Sequence, residues 1–458
     1  MEIILFISRK DVLTLKLSKI HVSNLFGVFT HEVRINTERG ITIVIGENGL
    51  GKTVLLEMIE SFFNKRFYYF SNVNFDELIF EFNDGVEWNI KKENSEEEEQ
   101  LLLKQINGEL IDEYSLLISN YDSESFLRFA QHIARIVGMR RISPNRWEDR
   151  RNGSIFSTRE LVEKYGDSLS SSNFKYEIGT IINDAPEWFI DRFEKINVTL
   201  IETQRVFIVD EPDQAPVETV KKYSSELSQL MKRKLTESTE LSSKLDRTYP
   251  NRLVSELKQK KAKITDEELN EKLKELEEKR TLLDQVGLIE TEKDSILLKV
   301  DNPQEVVKDV LMLYIKDSFE KLTIFDLISV KIELLLKIIN DRFKHKKLFV
   351  NKESGFLFRS TVIKDEFDNY QIIPIEKLSS GEKNELILFY KLIFKTSSNS
   401  LILIDEPEIS LHISWQNKFI SDLHEIHKLN ELDILIATHS PDIISNNWDL
   451  KVELKGVE

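Results

Sequence analysis

The sequence predicts an α/β fold in which one domain is assembled from both ends of the chain. Short apolar runs typical of buried strands occur near the start, as ITIVI at 41–45, and near the end, as LILIDE at 401–406 and DILIAT at 433–438. From 217 to 344 the composition changes to charged, leucine-containing runs typical of helices. The predicted architecture is therefore a discontinuous α/β domain with an inserted helical region and a helical arm.

Size, composition and charge limit the class of protein. The 458 residues are 41% hydrophobic and 31% charged, enough for two or three domains with a substantial core. A net charge of −16 argues against general coating of nucleic acid, although a local basic groove stays open. The absence of cysteine excludes disulfides and thiolate metal sites. No apolar run is long enough for a bilayer and the start lacks a signal-peptide core, so we expect a cytoplasmic protein with no membrane partner.

Changes in pattern predict five segments. An NDG turn between two alternating runs at 77–93 indicates a hairpin, and acidic residues at 95–100 mark a boundary. Residues 101 to about 190 have a mostly helical pattern, and strand character returns at 196–202. The expected segments are the N-terminal part of the α/β domain at 1–100, a helical insertion at 101–190, a further strand of the domain at 191–216, the arm at 217–344, and the C-terminal part of the domain at 345–458.

A leucine row marks the arm. Leu269, Leu273, Leu276 and Leu283 stand at heptad spacing, and Arg280 interrupts the row. The pattern is compatible both with a short coiled coil and with an ordinary packed bundle.

The stretch GENGLGKT at 46–53, called here the phosphate loop, predicts a site for ATP and Mg²⁺. It follows a predicted strand and precedes a predicted helix, and an accidental glycine-rich turn is disfavoured because the chain has only 15 glycines. Glycines let the backbone wrap the phosphates, the lysine reaches the β- and γ-phosphates, and the threonine hydroxyl can ligate Mg²⁺. The predicted nucleotide-binding residues are Gly46, Glu47, Asn48, Gly49, Gly51, Lys52 and Thr53.

Three further stretches supply candidate catalytic groups. Asp405 and Glu406 end an apolar strand, where Asp405 would hold Mg²⁺ and Glu406 would orient and deprotonate the attacking water. His439 closes another apolar strand and is predicted to contact the γ-phosphate, although a structural histidine is the alternative. Gln204 follows the strand at 196–202 and is a candidate contact for Mg²⁺ or the water.

The stretch LSSGEK at 378–383 predicts a second phosphate contact. Ser379, Ser380, Gly381 and Glu382 stand at the start of an amphipathic helix, where free N–H groups favour an anion. Because the phosphate loop already holds one side of the nucleotide, we expect this segment to cap the γ-phosphate of a nucleotide bound by another copy of the chain. The alternative is a serine-rich helix cap without a ligand.

The order of glycine loop, glutamine, LSSGE, Asp-Glu and histidine resembles the ABC-type ATPase heads of the SMC, Rad50 and RecF group, with Ser380 in place of the first glycine of the signature motif. The motif DEPEISLH followed by ATHSP is similar to the corresponding motifs of the bacterial AAA15/AAA21 and OLD-like ATPases. IETQRV at 201–206, the modest arm and THSPDIISNNWDLKVEL resemble the ATPase subunits of antiphage systems such as Septu and PARIS. The long separation of Thr53 from Leu378 excludes a compact transporter subunit, and the arm is too short for a chromosome-scale SMC rod.

These resemblances imply an ATP-hydrolysing, homo-oligomeric sensor or scaffold of a defence complex. It would hydrolyse ATP slowly, respond to a phage protein or DNA, and control a separately encoded nuclease. Two alternatives stay open: a DNA-repair ATPase that clamps DNA directly, and a structural scaffold that binds ATP with little turnover. The short stretch after His439 has no room for a Toprim nuclease domain of the OLD type, so we expect the chain not to be a nuclease itself.

An arginine-rich stretch at 139–153 gives a further candidate surface. Its guanidinium groups suit nucleic acid or an acidic partner, but the acids at 148 and 149 favour a solvated, salt-bridged face.

Overall fold

A computed structural model describes residues 14–94, 99–117, 124–150, 153–165, 185–201, 207–208, 217–258, 264–290, 300–409, 411 and 413–456. The chain divides into two compact units, the first from Met1–Val217 together with Lys395–Glu458 and the second from Glu218–Phe394. The first unit thus contains both ends of the chain. The predicted discontinuous α/β class is confirmed, whereas the exact segment boundaries stay predictions.

The N-terminal part of the first unit is rich in strands. In chain order its described elements are β1 (Leu17–Leu25), β2 (Phe29–Arg34), β3 (Ile41–Ile45), α1 (Lys52–Phe63), β4 (Glu77–Phe82), β5 (Glu87–Asn94), β6 (Glu99–Asn107), β7 (Leu110–Leu117), α2 (Glu124–Ile136), β8 (Met139–Ser143), β9 (Arg146–Asp149), β10 (Ile155–Ser157), α3 (Thr158–Tyr165), α4 (Glu187–Phe193), β11 (Val198–Ile201), β12 (Phe207–Ile208) and β13 (Val217–Glu218).

The second unit is mostly helical, with one small antiparallel sheet. Its described elements are α5 (Thr219–Lys258), α6 (Asp266–Gln285), α7 (Glu305–Thr323), α8 (Asp326–Arg342), β14 (Lys346–Asn351), β15 (Gly355–Lys364), β16 (Tyr370–Ile373) and α9 (Ser380–Tyr390). No described helix of the chain is long and apolar enough to cross a membrane.

The C-terminal part returns to the first unit and completes a parallel sheet. It contributes β17 (Leu401–Asp405), α10 (Ile413–Asn430), β18 (Asp433–Thr438), α11 (Pro441–Ile444) and β19 (Lys451–Glu453). The strand order is β11-β17-β18-β3-β19, and every neighbouring pair is parallel. The three central strands are almost entirely buried, which explains why they read as continuous apolar runs.

A second, antiparallel sheet of the first unit has the order β2-β1-β4-β5-β6-β7. The predicted hairpin at 77–93 is confirmed, with Gly85 at φ 84° in the turn between β4 and β5. The buried face of this sheet joins α1 and α4 in an aromatic core, where the Phe62 ring meets Trp88 edge to face and Phe193 stacks on Phe63. This core holds α1, the helix that follows the phosphate loop.

The prediction of a mostly helical segment at 101–190 is wrong for much of its described part. Residues 99–117 form the hairpin β6–β7, and 139–157 contain the three-stranded sheet β10-β9-β8. Leu101, Leu103 and Gln105 alternate inward along β6, and Gly108 at φ 62° forms the two-residue loop after Asn107. The glycine at the first loop position was therefore the hairpin signal, because a two-residue turn of type II′ favours glycine there. Helix is present at α2, α3 and α4.

The described residues of the arginine-rich stretch lie on or next to this small sheet. Arg140 donates to Glu148 at 2.7 Å, and Arg141 donates to the backbone carbonyl of Pro144 at 2.6 Å. These contacts within the sheet favour the salt-bridged face.

The leucine row of the arm is buried as expected. Leu269 and Leu273 pack with Ile315 of α7, and Arg280, which interrupts the row, donates to the Tyr314 hydroxyl at 2.9 Å. Helix α7 also contacts α5, where Arg252 pairs with Asp317. The row therefore faces a bundle that includes at least three helices, which agrees with the packed-bundle alternative.

Candidate nucleotide site

The register of the parallel sheet brings three predicted segments to one edge of the first unit. Asp405 at the end of β17 pairs with Ala437 of β18, and Thr438 pairs with Ile45 of β3. The phosphate loop, the Asp405–Glu406 pair and His439 all follow the carboxyl ends of these neighbouring strands. Ligands of parallel α/β sheets bind at this edge.

The phosphate loop has a backbone that requires glycine at two places. Gly49 and Gly51 have φ values of 89° and 83°, and a Cβ on Gly51 would lie 2.7 Å from Cδ2 of Leu25. Gly51 is the N-cap of α1, which has neither a side-chain cap nor an acidic residue in its first turn. The first N–H groups of α1 therefore have no side-chain acceptor at the cap and suit an anion.

Lys52 is folded into its own loop. Its side chain is buried, and Nζ donates to the carbonyl oxygens of Gly46 at 2.8 Å and Glu47 at 3.0 Å. The side chains of Glu47 and Asn48 are exposed. A phosphate oxygen in the loop would offer Lys52 a charged acceptor in place of these neutral carbonyls.

A buried histidine of β2 contacts the backbone of the phosphate loop. His31 is 3% exposed, and its Nε2 lies 2.8 Å from the carbonyl oxygen of Leu50. Burial lowers the pKa of His31, so the neutral ring donates through Nε2, while Nδ1 has no partner among the described residues. Sequence reasoning missed this contact because the motif shows only the loop and not the strand packed against it.

Thr53 and Asp405 meet as a metal site would require. The Thr53 hydroxyl donates to Oδ2 of Asp405 at 3.0 Å, whereas the buried Oδ1 of Asp405 has no partner within the described chain. Burial, with a smaller contribution from nearby Glu57, Glu406 and Glu408, raises the pKa of Asp405 to about 6. A divalent cation would bind the free oxygen and stabilise the carboxylate, so these residues fit Mg²⁺.

Glu406 and His439 lie beside this pair. Glu406 has a positive φ of 42°, which turns its backbone sharply after the strand, and its N–H donates to the carbonyl of Ala437 at 2.9 Å. Its side chain is 27% exposed, and Oε1 lies 3.6 Å from Nδ1 of His439. Glu406 therefore stands next to the predicted metal ligand and is open to a water molecule.

The described site also contains a carboxylate that the sequence analysis did not single out. The side chain of Glu408 is only 8% exposed, and its Oε1 lies 3.2 Å from Nδ1 of His439. The third acid of the DEPE stretch was the available signal. Gln204 lies outside the described residues, so its role stays a prediction.

The LSSGEK segment belongs to the second unit. Ser379 is the N-cap of α9 and forms a capping box with Glu382, whose carboxylate also pairs with Lys346 at 2.9 Å. The side chain of Ser380 is exposed, and open space surrounds the position where Gly381 would carry a Cβ. Ser379 therefore caps α9, and its contact with a second nucleotide stays a prediction.

Comparisons with known proteins agree with the nucleotide chemistry. The family model AAA_15, described as an AAA ATPase domain, matches residues 15–444. No curated protein matches the chain.

Two solved structures are similar to the chain at low identity. One is the Smc head domain with an extended coiled coil bound to the C-terminal domain of ScpA, derived from Pyrococcus furiosus. It has 13% identity and a TM-score of 0.30, over 94% of this chain and 92% of that one. The other is an SmcHead bound to the C-winged helix domain of ScpA, with 10% identity and a TM-score of 0.31, over 94% of this chain and 91% of that one.

Proposed function

The chain belongs to the AAA_15 family of AAA ATPase domains, and from this premise we propose that it is the ATP-hydrolysing sensor and scaffold subunit of a bacterial antiphage defence complex. Its copies would pair through their ATPase heads and control a separately encoded nuclease. A phage protein or DNA would be the trigger, and the chain would not cut DNA itself.

The observation that carries the ATPase part is the hydrogen bond of 3.0 Å between Thr53 and Asp405. It joins the phosphate loop to the end of β17, although the two residues are far apart in the chain. Lys52 and the first N–H groups of α1 would bind the phosphates, and Thr53 and Asp405 would hold Mg²⁺, which neutralises charge on the phosphates. Glu406 would orient the attacking water and take its proton, and His439 would contact the γ-phosphate.

The pairing of heads rests on the LSSGEK segment. Its exposed Ser380 and the open space at Gly381 leave the start of α9 accessible in the isolated chain. A nucleotide held by one copy would be capped by this segment of another, and ATP would join the two. Hydrolysis would then loosen the assembly and release or activate the nuclease.

The proposed defence role is supported by the resemblance of sequence motifs. IETQRV at 201–206, the modest arm and THSPDIISNNWDLKVEL resemble the ATPase subunits of Septu and PARIS systems. The arginines at 140 and 141, by contrast, are engaged within their own sheet, which gives no support to a clamp on duplex DNA.

Phage challenge of bacteria that express the chain with its neighbouring genes tests the proposal. We expect protection that requires both the chain and a neighbouring nuclease gene, and that disappears with Lys52→Ala. Purified chain alone should leave plasmid DNA intact with Mg²⁺ or Mn²⁺, with or without ATP. Protection by the chain alone, or plasmid cleavage that a substitution in this chain abolishes, would overturn the two-component proposal.

A further inference from the structure

Glu408 connects the end of β17 to the end of β18. It lies in the 3-10 turn Pro407–Ile409, and its side chain is 8% exposed. Its Oε1 accepts hydrogen bonds from the Thr438 hydroxyl at 2.8 Å and from the backbone N–H of His439 at 3.0 Å. Nδ1 of the His439 ring lies 3.2 Å from the same oxygen. One carboxylate oxygen therefore contacts three groups of Thr438 and His439.

The two carboxylates beside His439 differ in their surroundings. Glu406 is the more exposed and lies 3.6 Å from Nδ1, whereas Glu408 is the more buried and lies closer. A buried carboxylate held by a hydroxyl and a backbone N–H has little freedom to move. Glu408 is thus suited to holding the imidazole in place, and Glu406 remains available to water.

The other oxygen of Glu408 shows that burial is costly here. Oε2 is buried and has no hydrogen-bond partner within the described residues. Burying an unpaired carboxylate oxygen lowers stability. If this side chain only closed the turn, a neutral side chain would fill the same space with a smaller loss of folding free energy. The buried carboxylate therefore points to a role beyond closing the turn.

We propose that Glu408 is a positioning residue that fixes the backbone and ring of His439 for ATP hydrolysis. This inference rests on the proposed ATPase function. With Nδ1 directed to Glu408, Nε2 is the ring nitrogen left for the nucleotide, because the partner of one imidazole nitrogen determines the role of the other. Glu408 acts through His439 and contacts neither the nucleotide nor the water.

A double-mutant cycle separates positioning from general stabilisation. We expect Glu408→Ala to lower kcat by roughly 10- to 100-fold, by analogy with the loss seen when the partner that orients a metal-ligating histidine is removed. Nucleotide affinity should stay within about twofold, because the phosphate loop is unchanged. The double variant with His439→Ala should be no slower than His439→Ala alone, because Glu408 acts only through that ring.

Two further variants sharpen the comparison. Glu408→Gln keeps an oxygen that can accept from Thr438 and from the backbone of His439, so its kcat should lie between that of the wild type and Glu408→Ala. Asp442→Asn is the matched control, because it makes the same carboxylate-to-amide change on an exposed residue of α11. It should hydrolyse ATP at the wild-type rate.

Hydrogen–deuterium exchange gives a readout that does not depend on turnover. Glu408→Ala should speed exchange in peptides covering 433–444, where the His439 amide loses its acceptor, and leave peptides from the phosphate loop unchanged. Wild-type kcat in Glu408→Ala, losses that multiply in the double variant, or unchanged exchange at 433–444 would each overturn the proposal. If the wild type shows no turnover, the proposed function fails, and the exchange comparison alone decides whether Glu408 holds His439.

Discussion

Removing the positive charge of Arg342 should destabilise the second unit strongly. Arg342 of α8 donates to Glu385 of α9 at 2.7 Å, and the two side chains are 1% and 0% exposed. The guanidinium group also lies over the Phe389 ring, 4.7 Å from its centroid. Arg342→Met keeps much of the apolar volume but leaves the Glu385 carboxylate buried without this partner. Breaking such a pair costs about 3–5 kcal/mol.

Calorimetry of the full chain measures the effect. A loss of that size corresponds to a fall of about 6–20 °C in the transition of a unit this large. The double variant Arg342→Met/Glu385→Met should recover at least half of the loss, because two apolar side chains replace the pair without leaving a charge. Lys272→Met is the control, since its pair with Glu275 is half exposed and should matter by less than about 1 kcal/mol.

The result that would refute this reasoning is a similar, small effect in Arg342→Met and in the control. It would mean that water or another group compensates the Glu385 charge. A double variant that is less stable than Arg342→Met would likewise show that the pair contributes more than its desolvation costs.

Two further substitutions test the pairing of the ATPase heads and the burial of His31. Gly381→Asp should abolish ATP-dependent pairing, measured by light scattering, because the new carboxylate would repel the γ-phosphate; at ~4 Å this repulsion is worth about 1 kcal/mol in water and more in a dry interface. Folding and nucleotide binding should survive, because open space surrounds this position. Unchanged pairing, or equal loss in Gly381→Asn, would contradict the contact. His31 has a lowered pKa, so the unfolded state gains the proton first and wild-type stability should fall by up to about 1.4 kcal/mol between pH 7.5 and 5.5, relative to His31→Gln. The free energy of unfolding of both proteins is measured by urea denaturation at each pH, and an equal change with pH in the two proteins would disprove the prediction.

The sequence was informative where local pattern and chemistry coincide. The phosphate loop needs its glycines and lysine within eight positions, and the short apolar runs before Gly46, Glu406 and His439 are typical of buried strands. Their convergence follows from the parallel order, because carboxyl ends of parallel strands share one edge. The α/β class and the meeting of Thr53 with Asp405 were therefore predictable.

Features that depend on strand pairing could not be read in the same way. The role of Glu408 depends on the register that sets β17 beside β18, which chain spacing does not give. The support of the phosphate loop by His31 likewise needs β2 to lie beneath Leu50. The β6–β7 hairpin was missed because apolar Leu102 interrupts the alternation of Leu101 and Leu103, so the run has no clean period of two.

The most direct test of the central claim is ATP turnover by the wild type and by Glu406→Gln, with nucleotide binding measured on the same samples. An amide at 406 cannot take the proton of the attacking water, while Lys52, Thr53 and Asp405 remain to bind the nucleotide and metal. We predict binding within about twofold of the wild type and turnover lower by at least about 100-fold. Equal turnover in the two proteins would contradict the assignment of Glu406 as the base, and an inactive wild type that binds ATP would contradict the ATPase cycle itself.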